Sequence, residues 1–348
     1  MARTGDRRTR DAHMEEKIKS LAYRVSAFAG TPRLLQRVFA SDGIAILLYH
    51  AVTTMPLPVE DWVFVEERPF REQMLYLKKH CQVIPLKDIP AARRVRERRP
   101  LVALTFDDGF QNNYSVAYPI LQDLGLPATI FLVTDLIDSD DTVWFCRINE
   151  ALSLTSLTRL DWEGQAYDLS TPSARAAAHA LLQRKLKAFR HPELLEKTAD
   201  LISALGDVPG KPIPPGSAYR MLGTHEIQEM AASGLIDFGA HTRSHAILSG
   251  LSTAERTQEI TASVTAVERL TGTRCSLFAY PNGRAIDYGP SDVAALRERS
   301  ITGAVTTVDG PNDPSVSALE MRRYCIGVGT SLAQFKLLTH HVLWKLQH

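Results

Sequence analysis

Short apolar, β-prone runs alternate with helical patterns along most of this chain, and no other feature limits its fold so strongly. The runs are IAILLYH (44–50), VALTF (102–106), PATIFLV (127–133), IDFGAH (236–241), LFAYP (277–281), GAVTT (303–307) and RYCIGV (323–328). Between them lie RPFREQMLYLKKH (68–80), YSVAYPILQDLG (114–125), THEIQEMAASG (224–234), STAERTQEITASVTAVERLTG (252–272) and SDVAALRERS (291–300). Several of these close on Gly, as helices do where a left-handed cap is needed. Strand and helix in turn imply an α/β fold, a parallel sheet with crossover helices that is either a barrel or an open doubly wound sheet.

One interval breaks the rhythm. Residues 138–220 open on the acidic turn DSDD and pass through WFCRINEALSL, ARAAAHALLQRKLKAF and LLEKTADLISALG. They close on the Pro/Gly-rich GDVPGKPIPPGS, which reads as a return linker. The interval is expected to be a mostly helical insertion between two core strands, with Trp144 and Phe145 as packing residues at its start. It interrupts a core of 44–330 that lies between an N-terminal helical segment (1–43) and a C-terminal helix (331–348).

Composition serves mainly to exclude. A net charge of +1 over 348 residues gives no electrostatic case for nucleic acid or an anionic membrane as main partner. Four separated cysteines (Cys81, Cys146, Cys275, Cys325) with no C-x-x-C pair read as mostly buried thiols of a reducing compartment. The start, MARTGDRRTRDAHMEEKIKS, lacks the apolar run of a secretory signal, and no stretch approaches the ~20 apolar residues of a transmembrane helix. A cytoplasmic protein is the expectation. Ile18, Leu21, Ala22, Val25 and Phe28 share a helical face that covers a core edge or makes a peripheral membrane contact.

Chemically unusual residues gather where strands should end. LVALTFDDGF runs a buried strand into two adjacent carboxylates, Asp107 and Asp108, a costly pairing unless something offsets it. In GAHTRSH, His241 and His245 stand four apart; on a helical turn that spacing puts both imidazoles within reach of one metal ion. FAYPNG (278–283) is an aromatic–Pro–Gly turn, and LLYH places His50 at the end of the first strand. The C-terminal ends of parallel strands converge on one rim, where barrel and doubly wound enzymes keep their sites. Two histidines and one carboxylate supply three ligands of a catalytic zinc-type site, leaving a position open for water. The other aspartate can accept a proton from that water. Neighbouring strand residues point to opposite faces, so both aspartates face the metal only if the chain turns at Gly109. His340 and His341 in THH (339–341), and His348, are expected to be exposed helix positions rather than ligands.

With these residues in place, the sequence resembles the NodB-like polysaccharide deacetylases, carbohydrate esterase family four, over roughly residues 44–137 and 221–328. TFDDG matches the family's first motif, and HTRSH its H-[S/T]-x-x-H motif. The resemblance implies a distorted (β/α) barrel and one divalent metal, zinc for preference, with nickel, cobalt or manganese as alternatives. It implies Asp107 as general base and Asp108, His241 and His245 as metal ligands. Ala279-Tyr280-Pro281-Asn282-Gly283 stands where many members carry R-P-P-Y-G, so the arginine that would orient the base is missing there. The F-x-Y-P-x-G form is similar to the poly-N-acetylglucosamine deacetylase subgroup. That similarity implies His50 as general acid and Arg323, in MRRYCIG, as the residue orienting Asp107. The turn supplies an oxyanion donor in the Tyr280 N–H and substrate contacts in Tyr280, Pro281 and Asn282. Asp135 is a candidate for tuning His50.

The implied activity is hydrolysis of an N-acetyl group on a sugar in a glycan, glycolipid or glycoconjugate. Competing readings are a hydrolase of a non-sugar amide, such as an imide or formamide, and an inactive glycan-binding homologue. The insertion is expected to roof the cleft and set substrate choice.

Overall fold

In the computed structural model, residues 43–93 and 99–345 are described. The first strands are β1 (Ala45–Tyr49), β2 (Ala51–Thr53), β3 (Phe64–Glu66), β4 (Gln82–Val83), β5 (Leu101–Phe106) and β6 (Ala128–Leu132). A hairpin, β7 (Arg159–Trp162) and β8 (Gln165–Asp168), precedes β9 (Ile236–Ala240), β10 (Leu277–Ala279), β11 (Gly303–Val305) and β12 (Tyr324–Cys325). The principal sheet is eight-stranded in the order β11-β10-β9-β6-β5-β1-β12, with β4 set against the start of β5. All its pairings are parallel, among them Leu47↔Leu104, Ile130↔Phe238 and Leu47↔Tyr324. Every residue of β1, β5 and β6 is buried, as expected of strands covered on both faces.

The sheet curls into a distorted (β/α) barrel. Its edge strands β11 and β12 are joined not by a ladder but by the Val305–Met321 bridge and by Arg323 N–H donating to Val308 O. The packing helices are α1 (Glu67–His80), α2 (Tyr118–Leu124), α3 (Trp144–Leu154), α4 (Pro172–Leu186), α5 (His191–Ala204), α6 (Thr224–Ala232), α7 (Thr253–Thr271), α8 (Pro290–Glu298) and α9 (Leu332–Thr339). Helix α7 shows how local sequence sets such elements. The Ser252 hydroxyl caps the Glu255 N–H while the Glu255 carboxylate accepts the Ser252 N–H, and Gly272 ends the helix in the left-handed region.

The 138–220 interval carries α3, α4 and α5, together with the β7–β8 hairpin that the helical expectation omits. Its apolar residues, Trp144, Phe145, Ile148, Leu182 and Leu201 among them, share one cluster with Ala51, Phe64, Phe110 and Val133 of the core. Two other expectations need correction or restriction. His340 and His341 are buried, because the chain turns after α9: His340 Nε2 lies 3.0 Å from the Tyr76 hydroxyl, and His341 Nδ1 2.9 Å from that of Tyr324. The amphipathic face at 18–29, His348 and all of the 1–43 segment except Gly43 lie outside the described residues. The cysteines are free, Cys325 half-buried and the other three buried. No described helix is long and apolar enough to cross a membrane.

Candidate active site

All sheet strands run the same way, so the residues following β1, β5, β9 and β10 meet at one rim. Asp107 extends β5 by one ladder bond, its N–H donating to Tyr49 O at 3.0 Å. The reversal begins a residue earlier than expected: Asp108 (φ 73°) and Gly109 (φ 83°) both take left-handed conformations. A Cβ on Gly109 would stand 2.9 Å from Leu132 Cδ2, so this turn admits only glycine without displacement. That reversal puts the two carboxylates in different surroundings.

Asp107 is satisfied by protein alone. Arg323, fully buried, donates from Nη1 and Nη2 to its two oxygens, each at 2.7 Å. The guanidinium is itself fixed by Nε to Thr306 O at 2.8 Å and Nη1 to Thr105 Oγ1 at 3.2 Å. Burial pushes the Asp107 pKa up, but the Arg323 charge, then His241, outweigh it and hold the carboxyl at about 2.

Asp108 is the opposite case. It is wholly buried, and neither carboxylate oxygen has a hydrogen-bond partner. Burial first, and the Asp107 charge second, push its pKa well above the usual carboxylate range. What faces it is nitrogen: His241 Nε2 lies 3.6 Å and His245 Nε2 3.4 Å from Asp108 Oδ1. One ligand atom from each of these three residues falls within 4.8 Å of the others. Burial lowers the pKa of both imidazoles, so both are neutral near pH 7 and present lone pairs. His241 Nδ1–H donates to Ala279 O at 2.8 Å, which fixes the tautomer and turns Nε2 toward Asp108. An unpartnered buried carboxylate beside two neutral imidazoles is a donor set that fits a divalent cation.

The histidines do not sit on a helical turn. The chain leaves β9 through a loop in which Thr242 and His245 each have φ 60°. What holds that loop is Glu259 of α7, whose carboxylate accepts the Arg243 N–H (2.8 Å), the Ser244 N–H (3.0 Å) and the Ser244 hydroxyl (2.9 Å). Nothing in the sequence distinguishes Glu259 from a solvated helix position. Phe145 from α3 closes the loop's other side, its ring 5.7 Å from that of His245.

His50 follows β1, nearly buried, with its ring edge-on to Trp62 at 5.1 Å and its Nδ1 unpartnered. Burial, opposed by Asp107 and reinforced by Arg323, lowers its pKa to about 4. Asp135 is not its partner: its carboxylate pairs with Arg243 Nε at 2.9 Å, and its N–H bonds Arg243 O. Lys187, at the end of α4, was not singled out by the sequence. Its ammonium donates to Asn282 Oδ1 at 2.8 Å, and its charge is felt at His50, Asp61, Asp108 and His245.

The Tyr280 expectation meets a different arrangement. Its N–H donates to Val305 O at 3.1 Å, its hydroxyl to Leu319 O at 3.0 Å, and its ring stacks on Tyr288 at 4.0 Å. Neither the N–H nor the side chain is offered to the cleft, because the β10–β11 ladder continues through this residue. Pro281 has no N–H. Asn282 adopts φ 60°, and its side chain is held by Lys187 and by Asp287 Oδ2 at 2.6 Å. Its own N–H has no acceptor among the described residues.

Known proteins resemble this chain in sequence and in fold. The sequence profile of the polysaccharide deacetylase family matches residues 94–297. YxkH of Bacillus subtilis (strain 168), assigned to the polysaccharide deacetylases, is 30% identical over 94 residues, which cover 26% of this chain and 32% of that protein. The chain thus aligns with about a third of the length of that curated relative. Among solved structures, the Streptococcus pyogenes deacetylase PplD in complex with acetate has a TM-score of 0.57 at 20% identity, covering 86% of this chain and 98% of that one. IcaB from Ammonifex degensii gives a TM-score of 0.56 at 18% identity, covering 86% and 98%. At these identities the two structures testify to fold alone. Because the family profile takes in more than half of the sequence and the barrel agrees with it, this chain belongs to the polysaccharide deacetylases, the NodB-like carbohydrate esterases.

Proposed function

We propose that the chain is a metal-dependent hydrolase that removes the N-acetyl group from an N-acetylated sugar in a glycan, glycolipid or glycoconjugate. Its family supports deacetylation of carbohydrate. The observation that carries the finer reading is the division of labour between adjacent aspartates, one paired by Arg323 and one left facing two imidazoles. Asp108, His241 and His245 would hold one divalent ion, most simply zinc, which when bound polarises the acetyl carbonyl and makes water more acidic.

The remaining work falls to the chain's own groups. Asp107, oriented by the Arg323 fork, takes the proton from the attacking water. His50, whose pKa burial lowers, is the group that hands a proton to the leaving amine in this reading. His50 is neutral in the free protein, so its acid form arises during the reaction, when it receives the proton the amine needs. The Tyr280 N–H is spent on Val305 O, so an oxyanion donor from this turn would be the Asn282 N–H. Acetate and free sugar amine are the products, with one water consumed.

The test is acetate release from a panel of N-acetylated sugars and non-sugar amides, with and without chelator. Acetate from the sugars alone, abolished by chelation, supports the reading; turnover confined to non-sugar amides, or indifferent to chelation, overturns it. Asp107→Asn should lower turnover by about 10²–10⁴-fold, and wild-type-like turnover would exclude Asp107 as base.

A further inference from the structure

Trp62 is a large aromatic that the fold holds rigidly yet leaves 47% exposed. Its segment is bonded on both sides. Val328 N–H donates to Trp62 O at 3.1 Å, Ala51 N–H to Val63 O at 3.2 Å, and Phe64 N–H to Asp61 O at 3.2 Å. The indole rests beside Gly327, where an added Cβ would stand 2.6 Å from Trp62 O and 3.3 Å from Trp62 Cε3. Its ring is nearly perpendicular to that of His50, at 83° and 5.1 Å between centroids. The exposure is therefore not slack: backbone bonds and a side-chain-free neighbour fix the ring where it is.

Position decides what such a ring can do. If His50 delivers the proton to the leaving nitrogen, the sugar carrying that nitrogen lies on the His50 side, where Trp62 is the exposed aromatic in edge contact with that imidazole. One face of a pyranose ring is lined by C–H groups and its rim by hydroxyls. An indole covers the first and leaves the second in water, the kind of half-wet contact for which Trp is suited.

We infer that Trp62 is the stacking platform of a sugar subsite next to His50, seating the pyranose whose acetamido nitrogen faces that imidazole. This rests on the N-deacetylase reading and deepens it. It makes the substrate a ring presented flat to the rim, not a small acyclic amide.

The test compares Trp62→Leu and Trp62→Phe with the wild type on tetra-N-acetylchitotetraose and on any other N-acetylated oligosaccharide turned over in the panel above. Leucine keeps an apolar side chain against Gly327 and His50 but removes the aromatic face. Trp62→Leu should raise KM about tenfold while kcat moves less than about threefold, and Trp62→Phe should recover most of the loss. A binding readout separates platform from chemistry. In an Asp107→Asn background, saturation-transfer NMR should mark the sugar-ring C–H protons, and that signal should collapse when Trp62→Leu is added. An unchanged KM, or a fall in kcat at constant KM, overturns the platform, the latter because it would mean that Trp62 acts only by placing His50. Absence of acetate release from every acetylated sugar by the wild type fails the underlying reading instead, so the two failures are distinct.

Discussion

The two halves of the site, one residue apart in sequence at Asp107 and Asp108, solve the same problem in opposite ways. On the strand side, a buried carboxylate meets a buried guanidinium in a bidentate pair anchored to Thr105 and Thr306, and the charge closes within the protein. On the loop side, an equally buried carboxylate has no hydrogen bond and faces two imidazoles that burial keeps neutral. The first half is complete as folded; the second is not, and a bound cation would balance it. In the proposed mechanism that difference would let one Asp-Asp dipeptide serve as both base and ligand: Arg323 stabilises the charge of one, and an added positive charge would stabilise the other.

The largest effect is expected from making the complete half resemble the incomplete one. Arg323→Leu leaves Asp107 buried and unpaired, and should cost about 3–5 kcal/mol of stability, read by chemical denaturation. Its turnover should fall as well, because the base loses its orientation; a variant as stable as wild type would mean that the pair contributes nothing net. Next in size is Glu259→Gln, which weakens the acceptor holding the His241–His245 loop without touching a ligand. Metal affinity, measured by competition with a chelator, should drop by about 10–100-fold, and no change would remove Glu259 from the site's support.

A pH titration of the metal-free protein sharpens the comparison differently. His50 and His340 are lowered from 6.5 to about 4 in the folded state, in both cases chiefly by burial. Between those values the unfolded chain binds more protons than the folded one, so stability rises with pH there and is lost as pH falls from about 6.5 toward 4. His340→Gln, outside both halves, should flatten part of that slope while leaving metal affinity alone; an unaltered slope would show that His340 is not held neutral. Asp107 acts lower: its depressed pKa contributes stability above the ordinary carboxylate range that is lost as pH falls toward about 2. Smallest of all should be Asp135→Asn. Its pairing with the half-exposed Arg243 lies beside the site, and turnover should change less than about twofold.

How legible this was in the sequence follows from the physics of each element. The strands β1, β5, β6 and β9 are covered on both faces, so their apolar runs announced them. β2 and β3, three residues each and dependent on each other, had no such pattern. The β7–β8 hairpin turns on Glu163-Gly164, both at positive φ, and Glu is a less familiar first residue for such a turn than Asn or Asp. The rim residues Asp107, Asp108, His241, His245 and His50 were legible because charge and imidazole at the ends of apolar strands are conspicuous. Glu259, Lys187 and Trp62 were not, since each sits in a stretch where its residue type is ordinary and only the fold brings it to the rim. Tyr280 shows the converse. The motif pointed to its N–H, but the β11 ladder already uses it, and hydrogen-bond bookkeeping of that kind depends on register, which a motif does not carry.

The division between the two aspartates is tested most directly by metal content. Asp107→Asn and Asp108→Asn should be purified identically, and bound zinc, nickel, cobalt and manganese counted per chain by mass spectrometry, alongside turnover. Asp107→Asn should hold metal like the wild type and be nearly inactive, whereas Asp108→Asn should lose both metal and activity. Equal metal loss in both variants, or metal retained in both, would contradict the assignment.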